Sequence, residues 1–175
     1  MNQFKFEASQ KGVLFGGMAL GLLCLLITFF TDDALHTRFW SNFLHNSVFF
    51  TGIAFMALFF MCASITAWAG WIVVVKRLWE AYAYFLIVGL GLLLVIIIGL
   101  WGNWHHLYHW ADAEEVSKDV VLQGKSSFLN RGWYTFGTLI IVGAWIFFAW
   151  KLRQLSLDED VRGTVNFEHH HKMRV

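Results

Sequence analysis

The chain has 175 residues, a length suited to one domain, but 58% of them are hydrophobic and only 14% are charged. Soluble proteins carry roughly a quarter charged residues, so this composition excludes an ordinary water-soluble globule and a disordered chain. Two cysteines do not make a secreted disulfide scaffold, and a net charge of +1 without a long basic tract gives no reason to expect nucleic acid as a partner. The composition predicts an integral membrane protein.

Two long uncharged intervals occupy the first half of the chain. An apolar helix needs about 20 residues to cross a bilayer. Twenty uncharged residues precede Asp32, and within them we predict a first span at 13–30. The second interval, 39–75, is too long for one straight crossing. We expect its crossing part at 46–66, preceded by an interfacial segment and followed by an amphipathic stretch at 68–79 on the other membrane surface.

Two more spans are predicted in the second half. The third covers 81–101, and its uncharged continuation, 102–110, contains three histidines, so we expect this helix to project beyond the hydrocarbon. The fourth covers 132–150. These runs lack the alternation of membrane β-strands. The sequence therefore predicts an all-α integral membrane protein, a bundle of four transmembrane helices at 1–160 with an interfacial amphipathic stretch, followed by a polar C-terminal tail at 161–175.

The positions of lysine and arginine predict the orientation. The N-terminal segment, the second loop and the tail hold nine of these residues, whereas the first and third loops hold four. Because positive charge is retained in the cytoplasm, we expect both termini there and the first and third loops outside.

A cluster of histidines follows the third predicted span. If the helix continues, His105, His109 and Asp112 share one face at spacings of four and three residues, with His106 beside them. The predicted topology brings three further polar residues to the same membrane surface. They are His36, Arg38 and His45.

Several interpretations of this gathering remain open. The imidazoles at the interface can simply hydrogen-bond lipid headgroups, water and loop backbone. Alternatively, histidines and a carboxylate at the mouth of an apolar bundle suit proton exchange with a quinol. Haem ligation between histidines of two helices, or a metal at His105 and His109, is a third interpretation. No ionisable residue lies within the predicted spans, which disfavours a transporter or channel, and the sequence assigns no catalytic residue and no metal site.

A smaller charged group marks the second loop. Lys76, Arg77 and Glu80 are predicted at the cytoplasmic surface, where they would contact anionic lipid headgroups or a neighbouring subunit. The three consecutive histidines of the tail, His169 to His171, suggest only weak metal affinity.

Five short motifs follow one another in a fixed order and spacing over roughly residues 5–160. They are His36-Thr37-Arg38-Phe39-Trp40, Trp71 with Lys76-Arg77 and Glu80, His106-Leu107-Tyr108-His109-Trp110, Gly124-Lys125-Ser126 with Asn130, and Ser156-Leu157-Asp158-Glu159-Asp160. Together these motifs resemble the N-terminal part of the ActF subunit of bacterial alternative complex III, which is similar to the NrfD and polysulfide-reductase membrane-anchor family.

The resemblance implies a multi-pass subunit of the bacterial inner (cytoplasmic) membrane that binds no cofactor by itself. It implies a complex that oxidises menaquinol or a related quinol and reduces cytochrome c, with a paralogous NrfD-like membrane subunit, iron–sulfur and c-haem subunits and a terminal oxidase as partners. ActF-like chains have about twice the spans found here, so the resemblance covers only one of their two bundles. A stand-alone di-histidine haem protein or a small transporter is the alternative.

Overall fold

The computed structural model describes residues 7–162, and every regular element in that range is a helix. The predicted histidines His169 to His171 lie outside the described residues. Seven α-helices follow in chain order: α1 (Ala8–Thr31), α2 (Thr37–Thr66), α3 (Lys76–Ala83), α4 (Phe85–Trp101), α5 (Ala113–Lys118), α6 (Val120–Lys125) and α7 (Arg131–Arg162).

Four helical segments are long and apolar enough to cross a membrane. They are α1, α2, the nearly continuous pair α3 and α4, and the Arg131–Asp160 part of α7. Only Tyr84 separates α3 from α4, and its amide still bonds to the Glu80 carbonyl oxygen at 3.3 Å. The predicted all-α bundle with four membrane spans is confirmed, and the chain is a multi-pass membrane protein.

The start of α2 differs from the prediction. The interfacial segment expected before residue 46 belongs to the helix itself, which begins at Thr37. Two carboxylates in the preceding turn fix this start, because Asp33 accepts a hydrogen bond from the Thr37 amide at 2.9 Å and Asp32 accepts one from the Phe39 amide at 2.7 Å. First-turn amides have no partner within a helix, so these carboxylates stabilise the earlier start.

The expected projection of the third span is wrong, because α4 ends at Trp101. The Gly102 amide bonds to the Ile98 carbonyl oxygen at 2.8 Å and the Trp104 amide to the Gly99 carbonyl oxygen at 2.9 Å. Asn103 takes the left-handed backbone conformation, with φ of 54°. This is the usual way a helix closes its last carbonyls and turns away. His105, His109 and Asp112 therefore do not form a helical stripe.

The expected amphipathic stretch at 68–79 is divided between two elements. A 3-10 helix spans Gly70–Val74, with Ile72 buried and Trp71 and Val74 exposed, so this short piece is amphipathic. Lys76 already begins α3 and hence the next membrane-crossing segment.

Two buried clusters hold the bundle together. The larger joins α2, the 3-10 helix, the α3–α4 segment and α7, and the smaller joins α4 to α7.

Between α2 and α4, Gly89 lies directly against Thr51, where a Cβ atom would collide with the threonine side chain. Buried Ser47 and Thr51 each donate to the carbonyl oxygen four residues earlier, as expected for hydroxyls in membrane helices.

Helix α1 stands apart from this packing. None of its residues is buried, and it meets α2 where the Phe29 ring lies 5.2 Å from the Phe39 ring. Gly12 and Gly16, like Gly17 and Gly21, have the four-residue spacing by which small residues let membrane helices pack closely, but they have open space beside them within this chain. The surface of α1 is therefore left to lipid or another protein.

Candidate functional site

A small polar cavity lies where α4, the segment after it and the start of α7 meet. We call this region, residues 32–45 and 102–131, the histidine end of the bundle. The cavity has a volume of about 200 Å³. Its polar lining residues are Asn103, His105, His106, Tyr108, Asp112 and Arg131. It therefore combines imidazoles, a carboxylate and a guanidinium at one end of an apolar bundle.

His105 is the most buried of these side chains, at 5% exposure. Its Nε2 atom lies 3.0 Å from the carbonyl oxygen of Ile96. A carbonyl oxygen only accepts, so this contact assigns the ring proton to Nε2 and makes Nδ1 the acceptor of the neutral imidazole. Nδ1 is buried and has no hydrogen-bond partner among the described residues. A buried acceptor of this kind calls for a donor from water or a ligand.

Gly99 allows this placement of His105. A Cβ atom at Gly99 would lie 2.8 Å from the Trp40 ring and 2.9 Å from the His105 ring. The two rings themselves are 4.8 Å apart between centroids. Because Gly99 has no side chain, the Trp40 and His105 rings can both pack against α4. The start of α2 therefore contacts a residue that lines the cavity.

Arg131 fixes the opposite side of the cavity. Its Nη2 atom donates to the Asn103 side-chain oxygen at 2.8 Å and to the Ala111 carbonyl oxygen at 3.0 Å. These bonds tie both ends of the irregular segment after α4 to the first residue of α7. Arg131 was not among the candidate site residues predicted from the sequence.

The remaining predicted residues are distributed unevenly. His106 is exposed but lines the cavity, and Asp112 is half-buried and also accepts a hydrogen bond from the Glu114 amide at 3.0 Å, capping α5. His36 stacks on Phe29 with centroids 4.0 Å apart, and its Nδ1 is buried without a partner in residues 7–162. Arg38, His45 and His109 are exposed and do not line the cavity.

A pair of tyrosines beside the histidine end is a further feature that sequence reasoning missed. The hydroxyl oxygens of Tyr108 and Tyr134 lie 2.8 Å apart. Burial, followed by this hydrogen bond, raises the pKa of Tyr108 above its ordinary value. The two residues are 26 positions apart, and the only local signal was a tyrosine one turn into the last span.

Beyond Tyr108 lies a second cavity, which we call the aromatic pocket. Its volume is about 270 Å³, and Tyr108 lines both it and the polar cavity. Its lining residues include Trp110, Asn130, Tyr134, Gly137 and Thr138. Trp110 stacks on Tyr108 with ring centroids 5.0 Å apart, so the shared wall is made of packed aromatic rings.

A charged cluster occupies the opposite end of the bundle. Glu80 is 1% exposed, and its Oε2 atom accepts a hydrogen bond from Arg77 at 2.7 Å and lies 3.8 Å from an Arg153 nitrogen. Arg77 also pairs with Asp160, and Lys76 pairs with Glu159 at 3.0 Å. The predicted contacts of Lys76, Arg77 and Glu80 with lipid or a neighbouring subunit stay predictions, whereas their observed partners lie within the chain.

Glu80 lies one residue before the predicted third span, outside the apolar runs in which we expect no ionisable residue. The predicted span began at residue 81, but the helical segment begins at Lys76 and includes this buried carboxylate. Its Oε1 atom is buried and has no hydrogen-bond partner in the described part of the chain.

Within residues 7–162, no group of three histidine, cysteine, aspartate or glutamate side chains is placed to hold a metal ion. Comparisons with models of known protein families and with curated proteins find no match to this chain.

Proposed function

We propose that this chain is a membrane subunit of a respiratory quinol:cytochrome c oxidoreductase complex of the bacterial cytoplasmic membrane. In this proposal it supports quinol oxidation, proton movement and assembly, and is not an enzyme by itself. The observation that carries the proposal is the buried, unpartnered Nδ1 of His105 beside a polar cavity at the end of an apolar bundle. The ordered motifs that resemble ActF support the same assignment.

The chemistry of quinol oxidation separates two requirements. Two electrons must pass to redox groups, and two protons must leave the ring oxygens. This chain has two cysteines, whereas an iron–sulfur cluster is usually held by four. Iron–sulfur clusters and c-type haems of partner subunits would therefore take the electrons. Proton acceptors around the polar cavity are then the contribution of this chain, with menaquinol or a related quinol as the substrate.

His105 suits that contribution. Its Nε2–H bond to Ile96 fixes the ring, while Nδ1 presents a lone pair that can accept a proton or a hydrogen bond. His106 and Asp112 line the same cavity, and His106 is exposed. In this proposal, a proton that His105 accepts passes through the cavity to exposed His106 and so to the membrane surface.

Affinity purification of the epitope-tagged chain from native membranes in mild detergent tests the proposal. We expect an assembly with c-haem absorbance, iron–sulfur clusters and menaquinol:cytochrome c reductase activity. Deleting the chain should abolish that activity or the assembly. Normal quinol oxidation and an intact complex in membranes that lack the chain would refute the proposal.

Single substitutions then test the site. His105→Ala and His106→Ala should lower quinol oxidation by tenfold or more, within the usual contribution of a positioned proton acceptor. His45→Ala removes an exposed histidine that does not line the cavity and is the matched control. Equal activity in all three variants would make the cavity structural.

A further inference from the structure

The polar side chains of α6 and of the turn after it bond to nearby backbone. The Asp119 carboxylate accepts a hydrogen bond from the Val121 amide at 2.7 Å, and the Gln123 side-chain amide donates to the Ser117 carbonyl oxygen at 2.8 Å. The Ser126 hydroxyl donates to the Gln123 carbonyl oxygen, also at 2.8 Å. Backbone groups that are satisfied within the chain are what a segment needs where water is scarce.

The apolar side chains of the same segment face outward. Val120 is 80% exposed, Phe128 is 69% exposed, and Val121 is exposed as well. Because removal of apolar surface from water is favourable, this arrangement is unfavourable in water and suits apolar surroundings. The outer surface of α6 therefore calls for a covering that the described residues do not supply.

The neighbouring helix α5 has the opposite character. Both helices contain six residues, and each follows an aspartate whose side chain caps the first turn. The exposed side chains of α5 include Glu114, Glu115 and Lys118, whereas α6 carries a single charge, Lys125, in its last turn. Since length and cap are shared, the difference in side chains indicates different surroundings, water for α5 and a less polar medium for α6.

The apolar surface of α6 continues onto the membrane-crossing helix α7. The Phe128 ring lies 6.1 Å from the Trp133 ring, measured between centroids. Trp133 and Phe136 are exposed in the first turns of α7. Tryptophans at the ends of membrane spans lie at the level of the lipid headgroups. Phe128, which packs against Trp133, therefore lies at the same level.

We propose that α6 and Phe128 lie in the headgroup region of the bilayer, with the side chains of Val120, Val121 and Phe128 directed into the upper acyl chains. Helix α5 stays in water beside them. A lipid surface is the partner that fits, because the apolar side chains of α6 lead through Phe128 and Trp133 to the exposed surface of a membrane span. Lys125, at the end of α6, can extend its ammonium group to lipid phosphates.

This placement connects the polar cavity to the membrane surface. Asp112 lines the cavity and caps α5, which is joined to α6 through Asp119. An α6 anchored among headgroups therefore limits how far this wall of the cavity can move from the bilayer. The inference does not require the proposed function, so the two tests fail independently.

Power-saturation electron paramagnetic resonance on the full chain in liposomes tests the proposal. In a chain with Cys24 and Cys62 replaced by alanine, a nitroxide is attached at Val121→Cys on α6, with exposed Glu115→Cys on α5 as the matched control. The vesicles contain three parts phosphatidylethanolamine to one part phosphatidylglycerol. At Val121→Cys, we expect collisions with oxygen, which concentrates among acyl chains, to exceed collisions with a water-soluble nickel chelate at least threefold. Glu115→Cys should show the reverse preference.

Photocrosslinking in native membranes distinguishes lipid from a protein partner. The photoreactive residue p-benzoylphenylalanine in place of Val121 should form adducts with phospholipid, which mass spectrometry of the tagged full chain detects. Nickel access at Val121→Cys equal to that at Glu115→Cys, or a crosslink to protein instead of lipid, would overturn the proposal. If Val121→Cys fails to accumulate, Phe128→Cys takes its place with the same expected preference for oxygen.

Discussion

The Trp40 ring lies against the His105 ring, with centroids 4.8 Å apart and an interplanar angle of 55°. Trp40 belongs to the first turns of α2, and His105 belongs to the irregular segment after α4. Their contact joins the start of α2 to the segment that follows α4, at one end of the bundle. Gly99 of α4 lies beneath both rings, so the contact depends on a residue that has no side chain.

Gly99→Ala should therefore destabilise the histidine end. The new methyl group would meet the Trp40 and His105 rings at 2.8 and 2.9 Å, and such overpacking costs about 1–3 kcal/mol. Unfolding in mixed detergent micelles measures the loss. Gly91→Ala is the control on the same helix, because its Cβ meets nothing within 4 Å, and it should change stability by less than about 1 kcal/mol. Equal stability of the two variants would show that the rings move aside freely.

Glu80→Ala should be far more damaging than removal of a surface carboxylate. Glu80 is 1% exposed, the two guanidinium groups beside it are 41% and 35% exposed, and loss of its charge-assisted hydrogen bond costs about 1.5–3 kcal/mol. Glu115, half-exposed and 3.6 Å from Lys118, is the control, and Glu115→Ala should cost no more than about 1 kcal/mol. The same micelle unfolding assay compares them. Similar small losses in both variants would mean that Glu80 is not stabilised by Arg77 and Arg153.

The four spans were predictable because a helix that crosses a bilayer needs a run of about 20 apolar residues, and such runs can be read directly from the sequence. Helix ends were less predictable. Residues after Trp101 remain uncharged, so hydropathy favoured a longer helix, whereas Gly102 and left-handed Asn103 end it. That signal was present in the sequence but weaker than the uncharged run.

The site was predictable only in part, since it depends on packing between distant segments. His105, His106 and Asp112 were expected together, and they share one cavity, but through a turn and a cap rather than a helical face. The Tyr108–Tyr134 contact spans 26 positions, and no local pattern specifies such a pairing. The burial of Glu80 likewise depends on Arg153 of another helix.

The orientation predicted from lysine and arginine can be tested with single cysteines. In a chain with Cys24 and Cys62 replaced by alanine, Glu115→Cys lies in the third loop and Gln154→Cys near the end of α7, both at exposed positions. An impermeant maleimide applied to spheroplasts should label Glu115→Cys, and should label Gln154→Cys only after lysis. The reverse pattern would invert the predicted topology.

Stability at the start of α2 should fall in acid because of Asp33. The hydrogen bond from the Thr37 amide lowers the pKa of Asp33 below its ordinary value of 3.8. A carboxylate with a lowered folded-state pKa contributes stability above the unfolded value and loses it as the pH falls through the folded value. Unfolding between pH 5 and pH 2 should therefore depend less on pH in Asp33→Asn, which retains a capping side chain. An identical acid dependence would assign the effect to other carboxylates.

Tyr108 should stay protonated through the pH range in which an ordinary tyrosine ionises. Burial and the Tyr134 hydroxyl raise its pKa above the ordinary value of 10.0, so the stability from neutral Tyr108 is present below that pH and is lost as the pH rises further. Of the four tyrosines, Tyr108 should therefore contribute no tyrosinate absorbance at 295 nm near pH 10 in the folded chain. Tyr108→Phe should leave that absorbance unchanged when folded and reduce it by about a quarter in denaturant, where all four tyrosines titrate freely. A loss of folded-state absorbance near pH 10 in Tyr108→Phe would show that this hydroxyl ionises normally and is not held in the buried pair.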